Sequence, residues 1–343
     1  MLRLPSCARR VRLVAVAMTV AACGARTPLD LGDVVDGAGG STATTTSVVT
    51  TGGAPTCSPG DAPVELATGF VWPYGLSLDG EFVYFTDYDA NGGLYRVPKS
   101  GGSADVLASF DFPDGLATDG AFAYLAVSGE NRVAKVPLGG GPAIELFGAS
   151  GPTDVVLDDA SVFVTEYLGN AVVRAPKAGG AKTTLASGEP SPFRLALTPT
   201  RVAFSTLDAM GWVDKNGGAV THGPSQARHF ATDGETTYAS VDFVAGIVRI
   251  DPDGTVTGLY TPTEDSVFID GIALDGDRIY FAELVANGSR IGSIRKDGTD
   301  PRTHAEREPG PFAARVAVDE SCVYATFGGG SEPNGYVLRA PKE

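Results

Sequence analysis

The sequence is poor in the residues that most often carry chemistry. Its 343 residues include only four cysteines, three histidines and two tryptophans. No pair of cysteines has the spacing of zinc ligands, so a structural zinc site is not expected. No P-loop, dinucleotide-binding glycine motif or nucleophile elbow occurs in a suitable context. The enzyme classes built on those motifs are therefore disfavoured.

Basic residues are also scarce, with 26 lysines and arginines against 41 aspartates and glutamates and a formal net charge of −15. A general nucleic-acid binder needs a basic surface to displace counterions from phosphates. The composition therefore predicts no nucleic-acid partner. It is compatible with a soluble exported protein, a divalent cation site or a cationic partner.

Long apolar runs are absent, and the stretch from Leu13 to Ala22 is too short to cross a bilayer as a helix. It follows an arginine-rich start and has the length of the apolar core of a signal peptide. It ends in Val20-Ala21-Ala22-Cys23, which resembles the bacterial lipobox, in which the cysteine is lipidated. We therefore predict a lipoprotein signal peptide over 1–22 and an anchor at Cys23. A plain secretory signal cut near Ala22 is the alternative.

The segment 23–56 is rich in Gly, Thr, Ala and Val and shows no helical or strand period. This composition is typical of a flexible tether. Gly24, rather than Asp, follows the cysteine. By resemblance to known lipoproteins this favours the outer membrane of a Gram-negative envelope, with the lipid as the only membrane contact.

What the sequence has in abundance is a repeat. Glycine reaches 45 and proline 23, which suits short strands joined by tight turns. Seven segments recur about every 40 residues. They are YGLSLDGEFVYFTD from Tyr74, DGLATDGAFAYLAV from Asp114, TDVVLDDASVFVTE from Thr153, FRLALTPTRVAFST from Phe193, RHFATDGETTYASV from Arg228, DGIALDGDRIYFAE from Asp270 and ARVAVDESCVYATF from Ala314.

Each segment reads as two short strands around a tight turn, in which Asp and Gly tolerate positive φ. A third apolar segment such as RVAKVPL follows, and in most repeats a fourth such as ADVLASF. Four short antiparallel strands per repeat are typical of a propeller blade. The sequence therefore predicts an all-β, seven-bladed β-propeller over 57–343.

The two ends of this body are predicted to meet. The last repeat stops after its third strand, and the segment 62–70 near the N-terminus resembles the missing fourth. This segment would complete the last blade and remove the exposed edges. Cys57 precedes it and Cys322 lies in the last blade, so we predict a disulfide between them in an oxidising compartment.

The YFTD sequence at Tyr84–Asp87 resembles the YWTD repeat. The cadence of the whole body is similar to that of NHL, YWTD and TolB-like propellers. YWTD and TolB domains have six blades, so a six-bladed ring is the alternative to seven.

In a propeller, the start of strand one and the end of strand two in each blade lie on the same face, at the mouth of the central channel. Residues there that differ between blades are the candidates for ligand binding. They are Asp87, Asp114, Asp154, Glu166, Arg194, Arg228, His229, Asp242, Asp270, Glu283 and Arg315, with Tyr74 and Asp208 in equivalent places.

Two functions remain open. The first is a membrane-anchored binding or scaffold protein of the cell envelope that recognises a protein, glycan or small ligand. The second is a metal-dependent lyase or lactonase. Seven-bladed streptogramin B lyases use a histidine with a metal-binding carboxylate, and gluconolactonase-like propellers hold a divalent ion. By this resemblance His229 would be the catalytic candidate, with Asp270 and Glu283 as metal ligands. No cofactor is evident from the sequence; a divalent cation is the one that the resemblance would imply.

Overall fold

The structure is a computed structural model that describes residues 56–223, 227–241, 246–262, 266–308, 310–329 and 332–342. The predicted signal peptide, Cys23 and nearly all of the predicted tether lie outside the described residues. Regular structure in these ranges consists of 28 strands and one turn of 3-10 helix at Ser128–Glu130. No described helix is long and apolar enough to cross a membrane.

The strands form seven antiparallel sheets of four strands in the described ranges. The chain begins with β1 (Val64–Phe70). Blade one is β2 (Pro73–Leu78), β3 (Phe82–Asp87), β4 (Gly92–Pro98) and β5 (Asp105–Phe110). Blade two is β6 (Pro113–Thr118), β7 (Phe122–Val127), β8 (Arg132–Pro137) and β9 (Ile144–Gly148). Blade three is β10 (Pro152–Leu157), β11 (Ser161–Glu166), β12 (Ala171–Pro176) and β13 (Thr183–Ser187). Blade four is β14 (Arg194–Leu197), β15 (Arg201–Ser205), β16 (Met210–Asp214) and β17 (Thr221–His222). Blade five is β18 (Ala227–Asp233), β19 (Thr236–Val241), β20 (Gly246–Ile250) and β21 (Val256–Tyr260). Blade six is β22 (Ser266–Asp275), β23 (Arg278–Val285), β24 (Gly288–Arg295) and β25 (Arg302–Arg307). Blade seven is β26 (Phe312–Val318), β27 (Cys322–Gly328) and β28 (Gly335–Pro341), with β1 as its outermost strand.

The sheets form a closed ring. The innermost strand of each blade contacts the innermost strand of the next, and β26 of blade seven contacts β2 of blade one. Apolar side chains fill the spaces between neighbouring sheets, for example Tyr84 with Leu116 and Leu125. The architecture is therefore a seven-bladed β-propeller, as the repeat count predicted, and the six-bladed alternative is wrong.

The predicted closure is confirmed. β1 pairs with β28 in antiparallel register, with Val64 opposite Arg339 and Phe70 opposite Gly335. Cys57 and Cys322 form a disulfide across a sequence separation of 265 residues, with their Cα atoms 5.4 Å apart. The N-terminal strand is thus held in the last blade by a hydrogen-bonded ladder and by a covalent bond.

A repeated polar clasp joins neighbouring blades near the turn between their first two strands. In blade seven, the carboxylate of Asp319 accepts hydrogen bonds from the Tyr324 hydroxyl at 2.9 Å and from Lys99 of blade one at 2.8 Å. The Lys99 ammonium also lies over the Tyr324 ring. Equivalent lysine–aspartate pairs join four other blade interfaces in the described ranges. They are Lys177–Asp119, Lys215–Asp158, Lys296–Asp233 and Lys342–Asp275.

Candidate functional site

The start of each innermost strand lies beside the end of the second strand of the same blade. Pro73 is opposite Asp87, Pro152 is opposite Glu166, and Ile269 is opposite Glu283. Both sets of sequence-predicted residues therefore lie at one edge of the propeller, which we call the mouth.

One polar side chain from the start of each innermost strand contributes to a cluster that we call the mouth ring. Its members are Tyr74, Asp114, Asp154, Arg194, His229, Asp270 and Arg315. In blades one, two and six, a glycine directly follows the ring residue. At Gly115 a Cβ atom would lie 2.7 Å from the Cα of Asp154 in the next blade, so no larger residue fits without a shift. In these three blades the neighbouring blade leaves room only for glycine at this position, so the ring side chain belongs to the residue before it.

Backbone irregularities and buried hydroxyls hold the ring in place. A register shift interrupts the pairing at the start of six of the innermost strands, for example between Ala313 and Arg315. Such bulges change the direction in which the side chains of a strand point. The Thr326 hydroxyl accepts the Arg315 N–H at 3.2 Å and donates to the Tyr74 carbonyl of blade one at 3.0 Å. Thr86 and Ser240 link their own blades to the next in the same way.

Arg194 connects four blades across the mouth. Its Nε donates to His229 Nε2 at 2.7 Å, and its Nη1 lies 3.7 Å from Asp114 Oδ1. Its guanidinium also lies over the Tyr74 ring, 5.0 Å from the centroid. Because an arginine retains its protons, Arg194 is the donor in this contact, and His229 Nε2 accepts when the imidazole is neutral.

His229 is held neutral by these surroundings. The residue is 3% exposed, and Asp270 Oδ1 is 3.0 Å from its Nε2. Burial lowers the pKa of His229 to about 3, with Arg315 and Arg194 contributing and Asp270 opposing. Burial raises the pKa of Asp270, but a protonated His229 and the two arginines oppose this effect and lower the pKa overall.

The other two ring carboxylates differ in their hydrogen-bond partners. Asp154 accepts the Leu195 N–H at 2.9 Å and Arg315 Nη2 at 3.2 Å. Asp114 is 8% exposed, and its Oδ1 has no hydrogen-bond partner among the described residues. Burial raises the pKa of Asp114 well above its usual range, and the nearby Asp154 and Asp270 raise it further, although Arg315 opposes them. Asp114 is therefore the ring carboxyl that most readily keeps its proton.

Two cavities open at the ring. One, of about 130 Å³, lies among the innermost strands of the channel and is lined in part by Asp154, His229 and Arg315. The other, of about 150 Å³, lies to one side and is lined by Trp72, Tyr74, Tyr88 and Asp114.

The carboxylates at the ends of the second strands have structural partners instead. Asp87 accepts the backbone N–H groups of Val71 and Trp72, at 3.3 and 2.6 Å. Glu166 accepts Lys182 Nζ at 2.5 Å and a backbone N–H, and Glu283 pairs with Arg290 at 3.2 Å. These contacts fix the connections between blades and the outer strands. The three carboxylates therefore take no part in the mouth-ring contacts described above.

The remaining predicted residues are scattered. The Arg228 guanidinium lies over the Phe268 ring at 4.3 Å, Asp208 is exposed on a turn, and Asp242 lies outside the described residues. In the part of the chain that the structure describes, no three His, Cys, Asp or Glu side chains are grouped to hold a metal ion. Asp270 and Glu283 are thus engaged with His229 and Arg290 rather than with each other.

Trp72, Tyr88 and the buried hydroxyls were not predicted from the sequence to lie at the mouth. The hydroxyls had a visible signal, since Thr or Ser occupies one place in YFTD, FVTE, YASV and YATF. Trp72 and Tyr88 follow no repeat pattern, and only the folded mouth brings them together.

Comparisons with known proteins agree on the fold. No protein-family model and no curated protein matches the chain. Among solved structures, virginiamycin B lyase from Staphylococcus aureus has a TM-score of 0.65 at 16% identity, covering 82% of this chain and 99% of that one. The WD40 β-propeller domain of Doa1 has a TM-score of 0.67 at 15% identity, covering 82% and 97%. The chain has a propeller fold. At these identities the likeness extends to the fold alone.

Proposed function

We propose that this protein is an exported, lipid-anchored binding protein that recognises a small polar ligand at the mouth of its propeller. The observation that supports this most is the mouth ring. Its seven side chains differ from blade to blade, although the framework around them repeats. They are largely buried, and one carboxylate oxygen among them has no hydrogen-bond partner. A site that exists only to close the ring has no need of such charges, because burying them costs free energy.

A thermal-shift screen tests the binding role. Polar metabolites and oligosaccharides are added to the full chain, and the screen is repeated with an Asp154→Asn/Arg315→Gln variant, which removes both partners of one ring ion pair. We expect at least one compound to stabilise the native protein, by about 2.7 kcal/mol at one hundred times its Kd, and to stabilise the variant much less. The Glu130→Gln/Arg132→Gln variant is the matched control, since it removes a partly exposed ion pair outside the ring. A compound that stabilises native and ring variant equally would place its site elsewhere.

The anchor is tested separately. The proposal requires that metabolic labelling with a fatty acid marks the wild-type chain and not a Cys23→Ala variant. A chain that is exported and cut but unlabelled would instead support the plain secretory signal.

A metal-dependent lyase is the second candidate, because His229 is neutral and contacts a ring carboxylate. A neutral imidazole is the form that acts as a general base. Its Nε2 already accepts a hydrogen bond from Arg194, so this role would require the pair to separate. If Mg²⁺, Mn²⁺ or Zn²⁺ raises the melting temperature of the native chain but not of an Asp154→Ala/Glu283→Ala variant, the lyase becomes the better proposal.

A further inference from the structure

The side cavity of the mouth has three aromatic walls. Trp72 and Tyr88 are 6.2 Å apart between ring centroids with an interplanar angle of 77°, and Tyr74 and Tyr88 are 6.3 Å apart at 52°. Phe112 packs against the outer side of this group, 5.3 Å from Tyr88. The volume of about 150 Å³ is similar to that of an engineered cavity that binds benzene. We call this cavity the aromatic pocket.

Asp114 forms the fourth wall of the aromatic pocket. Its side chain is 12% exposed, and its buried Oδ1 accepts no hydrogen bond from the described residues. Arg194 Nη1, at 3.7 Å, is beyond hydrogen-bonding distance. A buried carboxylate oxygen of this kind is costly unless a charged or donating group approaches it.

The charge of the walls selects the sign of the ligand. An anion in the aromatic pocket would oppose ionisation of Asp114, whereas a cation would favour the ionised carboxylate and would also be attracted by the ring faces. The net charge of the chain, −15, also favours the approach of cations.

We propose that the aromatic pocket binds an organic ammonium cation, with Trp72, Tyr74 and Tyr88 enclosing its alkyl groups and Asp114 as its counter-ion. This inference rests on the proposed binding role of the mouth and names the chemical class of one ligand. Methylated or quaternary ammonium groups suit the pocket best, because they present apolar surface to the rings and need few hydrogen bonds.

Calorimetric titration of the full chain tests the inference, with choline chloride as the probe and 3,3-dimethylbutan-1-ol as its neutral isostere. We expect choline to bind at least tenfold more tightly than the alcohol. Asp114→Asn should weaken choline binding at least tenfold and leave the alcohol unchanged. Asp208→Asn is the matched control, because it removes one exposed carboxylate of the same face outside the pocket, and it should bind choline as the native protein does.

A second variant keeps the test valid if Asp114→Asn does not fold. Tyr88 is only half-buried, and Tyr88→Leu should also reduce choline binding at least tenfold, because the leucine retains apolar surface but has no aromatic face. Equal affinities for choline and the alcohol would overturn the inference. So would undiminished choline binding by folded Asp114→Asn, or by folded Tyr88→Leu where Asp114→Asn does not fold.

The outcomes also separate this inference from the proposed function. If choline does not bind at millimolar concentrations, but another compound of the thermal-shift panel stabilises the native protein and not the Asp154→Asn/Arg315→Gln variant, the ammonium inference is wrong and the binding role stands. If neither choline nor any compound of the panel binds, both are wrong.

Discussion

Protonation of His229 should destabilise the folded protein as the pH falls. In the unfolded chain a histidine has a pKa of about 6.5, whereas burial lowers the pKa of His229 to about 3 in the fold. Between these values the unfolded state binds one more proton than the folded state. The stabilising effect is therefore complete above about pH 6.5 and is lost as the pH falls towards 3.

The magnitude follows from the two pKa values. One proton of difference corresponds to about 1.4 kcal/mol per pH unit. Allowing for partial protonation of the unfolded chain at pH 6, His229 should reduce the free energy of unfolding by roughly 2–3 kcal/mol between pH 6 and pH 4. Since the side chain is 3% exposed, solvent screens this effect little.

The assay is urea unfolding of native protein and His229→Gln at pH 6, 5 and 4. Glutamine can still accept the Arg194 hydrogen bond but does not titrate, so the stability difference between the two proteins should shift by roughly 2–3 kcal/mol in favour of the variant over this range. Parallel curves for native and His229→Gln would refute the buried, neutral imidazole.

Three further changes test the ring closure. Replacing Cys57 and Cys322 by alanine should lower the free energy of unfolding by about 5 kcal/mol, since the disulfide spans 265 residues; guanidinium unfolding that is insensitive to the change would contradict this. Thr326→Val should cost about 2–4 kcal/mol by leaving a buried N–H and a carbonyl unpaired, and Thr326→Ser should restore most of it. Lys99→Met should cost about 3 kcal/mol at pH 7. Burial raises the pKa of Asp319, but hydrogen bonds from Lys99 and others lower it overall, so this deficit should narrow below about pH 4 in urea titrations.

The repeat made the fold predictable. Seven copies of one strand pattern set the number of blades, and the missing fourth strand of the last copy indicated that 62–70 completes it. The pairing of Val64 with Arg339 confirms this. Cys57 and Cys322 could be paired only because the closure placed both in one blade. The repeat therefore made these long-range contacts predictable from the sequence.

The site was less predictable, because it depends on local departures from the repeat. Asp87 and Asp114 are both carboxylates at the mouth, but Asp87 accepts two backbone N–H groups and Asp114 lines a cavity. Asp87 ends a second strand, whereas Asp114 lies at the start of an innermost strand, and no sequence pattern indicated which of these positions would line a cavity. Trp72 is another example, since its role in the aromatic pocket requires Tyr88, which lies on another connection of the same blade.

The clasps and the mouth ring lie at opposite ends of the propeller and join neighbouring blades through different contacts. At five of the seven interfaces in the described ranges, a lysine–aspartate pair joins neighbouring blades. Between blades four and five, Thr198 stands where most blades have an aspartate. Here Glu235 accepts a hydrogen bond from Thr200 at the clasp end, and Arg194 and His229 add a link at the mouth. The lysine–aspartate pairs join these blades without using any mouth-ring residue. The ligand that we propose would offset part of the cost of burying the ring charges, and it should be sought at Asp114, whose Oδ1 has no hydrogen-bond partner among the described residues.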